Sequence, residues 1–130
     1  MTFEKIEPDL ERLASEVVDA AYKVHKAFGP GLLESAYEAC LSYELLKRKI
    51  KVERQVAIPL VYDGNSIDVA YRADLVVQDK LIVELKAVEK IQPIHEAQMI
   101  TYLKITGQRL GLLVNFNVLL IKDGIKRVVL

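Results

Sequence analysis

Two short stretches, Ala73-Asp-Leu-Val-Val77 and Leu81-Ile-Val-Glu-Leu-Lys-Ala87, each set one carboxylate inside a run of strand-forming apolar residues, with only Gln78-Asp79-Lys80 between them. Alternation of this kind is what a strand with a buried face requires, and so short a spacer makes the two strands antiparallel neighbours. One face of the first is predicted to carry Ile67, Val69, Tyr71, Ala73, Leu75 and Val77, the other Asp68, Ala70, Arg72, Asp74 and Val76. The second strand puts Leu81, Val83, Leu85 and Ala87 on one side and Ile82, Glu84, Lys86 and Val88 on the other. Both apolar sets must face the same core, so Leu75 should lie opposite Val83 and Val77 opposite Leu81. That register sets Asp74 against Glu84 and Arg72 against Lys86.

Two carboxylates would then stand on backbones roughly 5 Å apart. Like charges that close repel unless a proton or a cation comes between them. A hard divalent ion such as Mg²⁺ prefers carboxylate oxygens and resolves the conflict. Lys86, on the same face, could orient a water or stabilise charge on a phosphate oxygen. The competing reading is a solvated strand face with alternating charges. Against it stand the apolar flanks, because acids in such surroundings are costly unless paired or metal-bound.

The rest of the chain frames this hairpin. Apolar residues from Leu10 to Phe28 recur at helical spacing, predicting a helix over about 9 to 28 that Gly29-Pro30-Gly31 breaks. A second helix follows, with Leu33, Ala36, Tyr37, Cys40, Leu41 and Leu45 on one face and Lys47-Arg48-Lys49 at its end, where cations suit the dipole. Gln55 to Tyr62 reads as a strand, turned at Asp63-Gly64-Asn65. Pro93 opens a third helix over Ile94 to Ile105, which Gly107 closes. Leu110 to Val114 is a continuous apolar run, as a strand buried on both faces should be. Val118 to Ile121 and Lys126 to Leu130 are predicted as a last hairpin turned at Asp123-Gly124. The predicted order is ααβββαβββ, with a crossover from Leu81 to Asn115 that makes its two strands parallel.

With 130 residues, a single domain spanning 1–130 is expected. One cysteine, Cys40, excludes an internal disulfide and fits a reducing, cytoplasmic setting. No apolar run approaches the ~20 residues of a membrane span, and the charged N-terminus does not read as a signal peptide. Eighteen basic residues balance eighteen acidic ones, which argues against a strongly basic nucleic-acid-binding surface but leaves room for a local one. Phosphate-binding glycine loops and a nucleophile elbow are absent, and two histidines with one cysteine make no structural zinc cluster.

Asp74 followed by Glu84-Leu-Lys86, in an αβββαβ order, resembles the PD-(D/E)XK nuclease superfamily. Gln98-Met-Ile-Thr-Tyr102 is similar to the QxxxY element of nucleases of the recombination helicase–nuclease type. Gly31-Leu-Leu-Glu34-Ser-Ala-Tyr37 resembles the signature of the GxxExxY family, small bacterial and archaeal proteins assigned to that superfamily. The likeness continues through Tyr71-Arg-Ala-Asp74, Ile82-Val-Glu-Leu-Lys86, His95-Glu-Ala-Gln98 and Asn115-Phe116. Ala73 stands where the superfamily name has proline. The resemblance implies an α/β (α+β) fold with a mixed sheet flanked by helices and a metal-dependent nuclease acting on DNA or RNA. It implies Mg²⁺ or Mn²⁺ held by Asp74, Glu84 and the Leu85 carbonyl, with Glu34 as a further carboxylate, direct or through water. Lys86, Gln98 and Tyr102 would complete the catalytic set.

Rival functions are a non-catalytic binding or assembly module, and a metal-dependent hydrolase of a small phosphorylated ligand. Structural roles compete at several positions: a helix-start acid for Glu34, a polar seam between helix and sheet for His95, Gln98 and Tyr102, a structural imidazole for His25, and a solvated helix end for the basic run with Lys51. Self-association is also expected, because a symmetric dimer would lengthen a short groove and Val128-Val129-Leu130 is an apolar candidate edge.

Overall fold

The structure is a computed structural model that describes residues 5–130, the side chains at 69 and 70 excepted. Helix α1 runs Pro8–Phe28 and α2 runs Glu34–Lys47. Strands β1 (Val52–Tyr62), β2 (Asn65–Val77) and β3 (Leu81–Lys86) follow, then α3 (Pro93–Thr106), β4 (Leu110–Asn115), a 3₁₀ turn over Ile121–Gly124, and β5 (Ile125–Val129). The sheet order is β1-β2-β3-β4-β5, with β3 and β4 parallel and the other neighbours antiparallel.

Apolar periodicity explains the layers. Leu10, Ala14, Val17, Ala21 and Val24 of α1 and Tyr37, Leu41 and Leu45 of α2 pack on one face of the sheet with Leu75, Val77, Val83, Leu85, Leu112 and Val114. Met99, Tyr102 and Leu103 of α3 cover the other face with Ile58, Ala73, Ile82 and Leu113. β4 is buried along its whole length, which is why it reads as an unbroken apolar run. Gly111 allows α3 to come close there, since a Cβ would stand 2.3 Å from the Met99 sulfur.

Three expectations are corrected. Val118–Ile121 is not a strand; the chain turns into a 3₁₀ helix and only β5 returns along β4. Polar contacts explain the difference: the Asn115 side chain accepts the Asn117 N–H at 3.2 Å, and His25 Nε2 donates to the Val118 carbonyl at 2.8 Å. Leu33 does not join the apolar face of α2 but precedes its first turn at the N-cap position, 76% exposed. Lastly, the predicted faces of β2 do not hold throughout. Leu75 and Val77 lie in the α1/α2 core, whereas Ala73 belongs to the α3 core. The strand turns over at Asp74, opposite Gln55, whose φ is +52°.

The basic run closes α2 onto α1. Arg48 pairs with Glu44, Glu16 and Asp19, and Lys47 with Glu44. Lys51 pairs with Asp79, so these cations are engaged within the chain.

The return to β5 depends on Gly124, where a Cβ would lie 2.0 Å from the Asn115 carbonyl oxygen. Backbone cannot give way as a flexible side chain can. Gly124→Ala is therefore expected to destabilise the fold by about 2 kcal/mol, read from urea unfolding, and to cost more than Gly111→Ala, where the Met99 side chain can move.

Candidate active site

The β2–β3 ladder runs through Val77↔Leu81, Val76↔Ile82 and Leu75↔Val83, as the apolar registration predicts. There it stops. The next donor on β3, the Leu85 N–H, is taken by the Asp74 side chain, whose Oδ2 accepts it at 2.8 Å. A carboxylate thus replaces a strand carbonyl, and β2 parts from β3. In a strand the N–H and C=O of one residue point to the same edge, so the Leu85 carbonyl also faces the gap.

Glu84 lies beside this opening. It is 8% exposed, and its Oε1 is buried with no hydrogen-bond partner among the described residues. Burial first, then the adjoining Asp74 carboxyl, push its pKa up to about 9, and the smaller pull of Lys86 does not offset them. An unpartnered buried carboxyl oxygen is uncommon because it costs desolvation without a compensating bond. Lys86, half-buried, makes no ion pair among the described residues; its carbonyl accepts the Phe116 N–H at 2.9 Å.

The other expected residues arrive from two sides. From α3, Tyr102 is buried, close enough to Glu84 and Asp74 for their charges to act on it, and its hydroxyl accepts from the Gln98 amide at 3.0 Å. Burial and then the charge of Glu84 raise the tyrosine pKa. Gln98 therefore reaches the site through Tyr102. From α2, Glu34 meets the end of β3 instead: its Oε2 accepts the Ala87 N–H at 2.9 Å. Among the described residues no three His, Cys, Asp or Glu side chains come together as a cation cluster. Asp74 and Glu84 are the two acids that adjoin at the opening.

Several motif residues turn out to brace this centre. The Tyr37 hydroxyl donates to the Gly29 carbonyl at 2.5 Å and accepts the Leu32 N–H at 3.1 Å, while its ring stacks on Phe116 at 4.2 Å. Asn115 holds the strand exit, accepting from Val88 N–H at 3.1 Å and donating to the Val88 carbonyl at 2.9 Å. His95 caps α3 by accepting the Gln92 N–H at 2.9 Å.

Sequence reasoning missed Gln55 and Glu38. The Gln55 amide donates to Glu38 Oε1 at 2.6 Å and to Asp74 Oδ1 at 3.2 Å. Glu38 is buried, with Arg54 Nε donating to its Oε2 at 3.0 Å. The faint signal was helical spacing: Glu38 is one turn after Glu34 on α2. A groove of about 790 Å³ between α1 and β5 lies elsewhere; Val18, Tyr22, Leu112 and Ile125 line it, with Asp19 as its acid.

The model of the PD-(D/E)XK nuclease superfamily matches residues 11–128. The chain belongs to the PD-(D/E)XK nuclease superfamily. The match is to the superfamily, and the narrower GxxExxY likeness rests on the motifs alone. No curated protein and no solved structure matches the chain.

The raised Glu84 pKa has a defined consequence. The folded protein holds a proton that the unfolded chain releases above about pH 4.5, so without metal Glu84 lowers stability progressively as pH rises toward about 9. Glu84→Gln keeps the shape and removes this titration. Thermal melts in chelator should match wild type near pH 5 and exceed it near pH 8.5.

Proposed function

We propose that this domain is a Mg²⁺- or Mn²⁺-dependent phosphodiesterase acting on nucleic acid. The observation that carries the reading is the buried, unpartnered Oε1 of Glu84 beside Asp74 at the point where the sheet opens. Two adjoining acids, one of them with an oxygen left without a partner among the described residues, fit a hard cation once the Glu84 proton leaves, because such an ion prefers carboxylate and carbonyl oxygens. Asp74, Glu84 and the Leu85 carbonyl are the groups that would hold it. A divalent ion bound there supplies Lewis-acid polarisation of a phosphate oxygen and a lower pKa for a coordinated water.

The chain's own residues do the rest. Asp74 is fixed by the Leu85 N–H, so its orientation is set before any ligand arrives. Lys86 brings a cation that can stabilise charge developing on the phosphate. Tyr102, oriented by Gln98, offers a hydroxyl to a substrate oxygen. Glu34 holds the end of β3 in place through Ala87, a task compatible with a water-mediated part in the site.

A second reading, a binding or assembly module that keeps the fold without turnover, is favoured by the zero net charge. For pairing between copies, β5 is a sheet edge on which Val129 is 47% exposed. Among the described residues no helix is long and apolar enough to cross a membrane.

Incubation with single- and double-stranded DNA and RNA, with Mg²⁺, Mn²⁺ or chelator, separates the readings. Metal-dependent cleavage of at least one polymer is expected. Lys86→Met should lose it by roughly a hundredfold or more while retaining metal affinity. An intact panel under all conditions, despite measured metal binding, would favour the non-catalytic module.

A further inference from the structure

Gln55 sits in the middle of β1 with a φ of +52°, in the left-handed region that a non-glycine residue seldom adopts in a strand. Its neighbours pair with β2, Arg54 with Leu75 and Val56 with Ala73, so the break at this point lies at the residue facing Asp74, apart from the separate register shift between Ile58 and Leu60. An unfavourable backbone conformation persists only where surrounding contacts hold it, and such residues cluster at functional sites. Here the contacts are explicit. The amide nitrogen donates to Glu38 Oε1 at 2.6 Å and Asp74 Oδ1 at 3.2 Å, and the Gln55 carbonyl accepts from Arg72 at 3.1 Å.

We propose that Gln55 is a positioning residue for the cation site, its amide locking Asp74 against the buried Glu38 so that the aspartate is preset to receive a divalent ion. The inference rests on the metal reading above. An amide carries two N–H donors, so one group can serve both carboxylates. Glu38 makes the anchor because it is itself fixed, 7% exposed and held by Arg54. With Oδ2 on the Leu85 N–H and Oδ1 on Gln55, Asp74 cannot rotate freely. Each oxygen keeps a further lone pair for a cation shared with Glu84. Outer contacts of this type orient the groups that bind a metal, and their loss weakens binding without removing a ligand.

Mn²⁺ binding by titration calorimetry, alongside chelator melts, tests this. Gln55→Gly removes the amide and relaxes the positive φ; Gln55→Asn tolerates the same backbone but is too short to bridge. Both should bind Mn²⁺ at least about tenfold more weakly, with melts equal to wild type or, for Gln55→Gly, higher. Affinity within about twofold of wild type in Gln55→Gly would overturn the proposal and leave the metal reading standing. Weaker binding accompanied by a matching loss of apo stability in both variants would also overturn it, since the role would be structural. A wild type that binds no Mn²⁺ while folded would remove the metal reading and this proposal together.

Discussion

The bond on which the site depends is the one between the Asp74 carboxylate and the Leu85 N–H. A side chain here takes the place of a ladder acceptor. This satisfies a buried backbone donor and ends strand pairing at Leu75↔Val83. Three features follow from one contact. Asp74 is drawn into the plane of the sheet, the Leu85 carbonyl faces a gap, and Glu84 is left beside a second acid with an unpartnered oxygen. The apolar strands on either side supply the low-dielectric surroundings that make the conflict costly, and burial is the largest contribution to the raised Glu84 pKa.

Holding the strands apart requires bracing, and α2 contributes much of it. Glu34 holds β3 through Ala87, and Glu38 holds β1 and β2 through Arg54, Gln55 and Asp74. Between them Tyr37 stacks on Phe116, which ties the helix to the chain following β4. Asn115 fastens that segment to Val88. Helix α3 covers the opposite face with Tyr102 and Met99. The Gly29–Gly31 loop and Asn115-Phe116 are therefore architectural, and they bear on chemistry by fixing where Glu84 and Lys86 stand.

Much of this was legible from apolar periodicity. The helices, the β1–β2 turn at Asp63-Gly64, and the β2–β3 register follow from alternation and turn chemistry, because each choice buries one continuous apolar face. Asp63 and Gly64 adopt φ of +52° and +76°, as a tight hairpin turn demands. What alternation could not show is where it ends. Ala73 and Leu75 look equivalent in a period-two pattern, yet they enter opposite cores because Asp74 leaves the ladder between them. Gln55 was invisible for a related reason: a left-handed glutamine bridging two acids has no spacing signature. Val118–Leu120 misled because strand propensity there yields to a local turn contact made by Asn115 and to a bond from His25, far away in the chain. Glu34 bonds the chain just beyond β3; spacing could not tell an acid facing a cation from one accepting a backbone N–H.

The central proposal is that Asp74 and Glu84 hold one cation, and that in its absence a proton on Glu84 relieves their repulsion. Binding an ion there must expel that proton. Calorimetric Mg²⁺ or Mn²⁺ titrations at pH 7, run in two buffers of different ionisation enthalpy, count it directly. The account predicts release of about one proton per ion bound, and none in Glu84→Gln if residual binding persists. Binding to wild type without proton release, or no binding by the folded protein at millimolar ion, would contradict it.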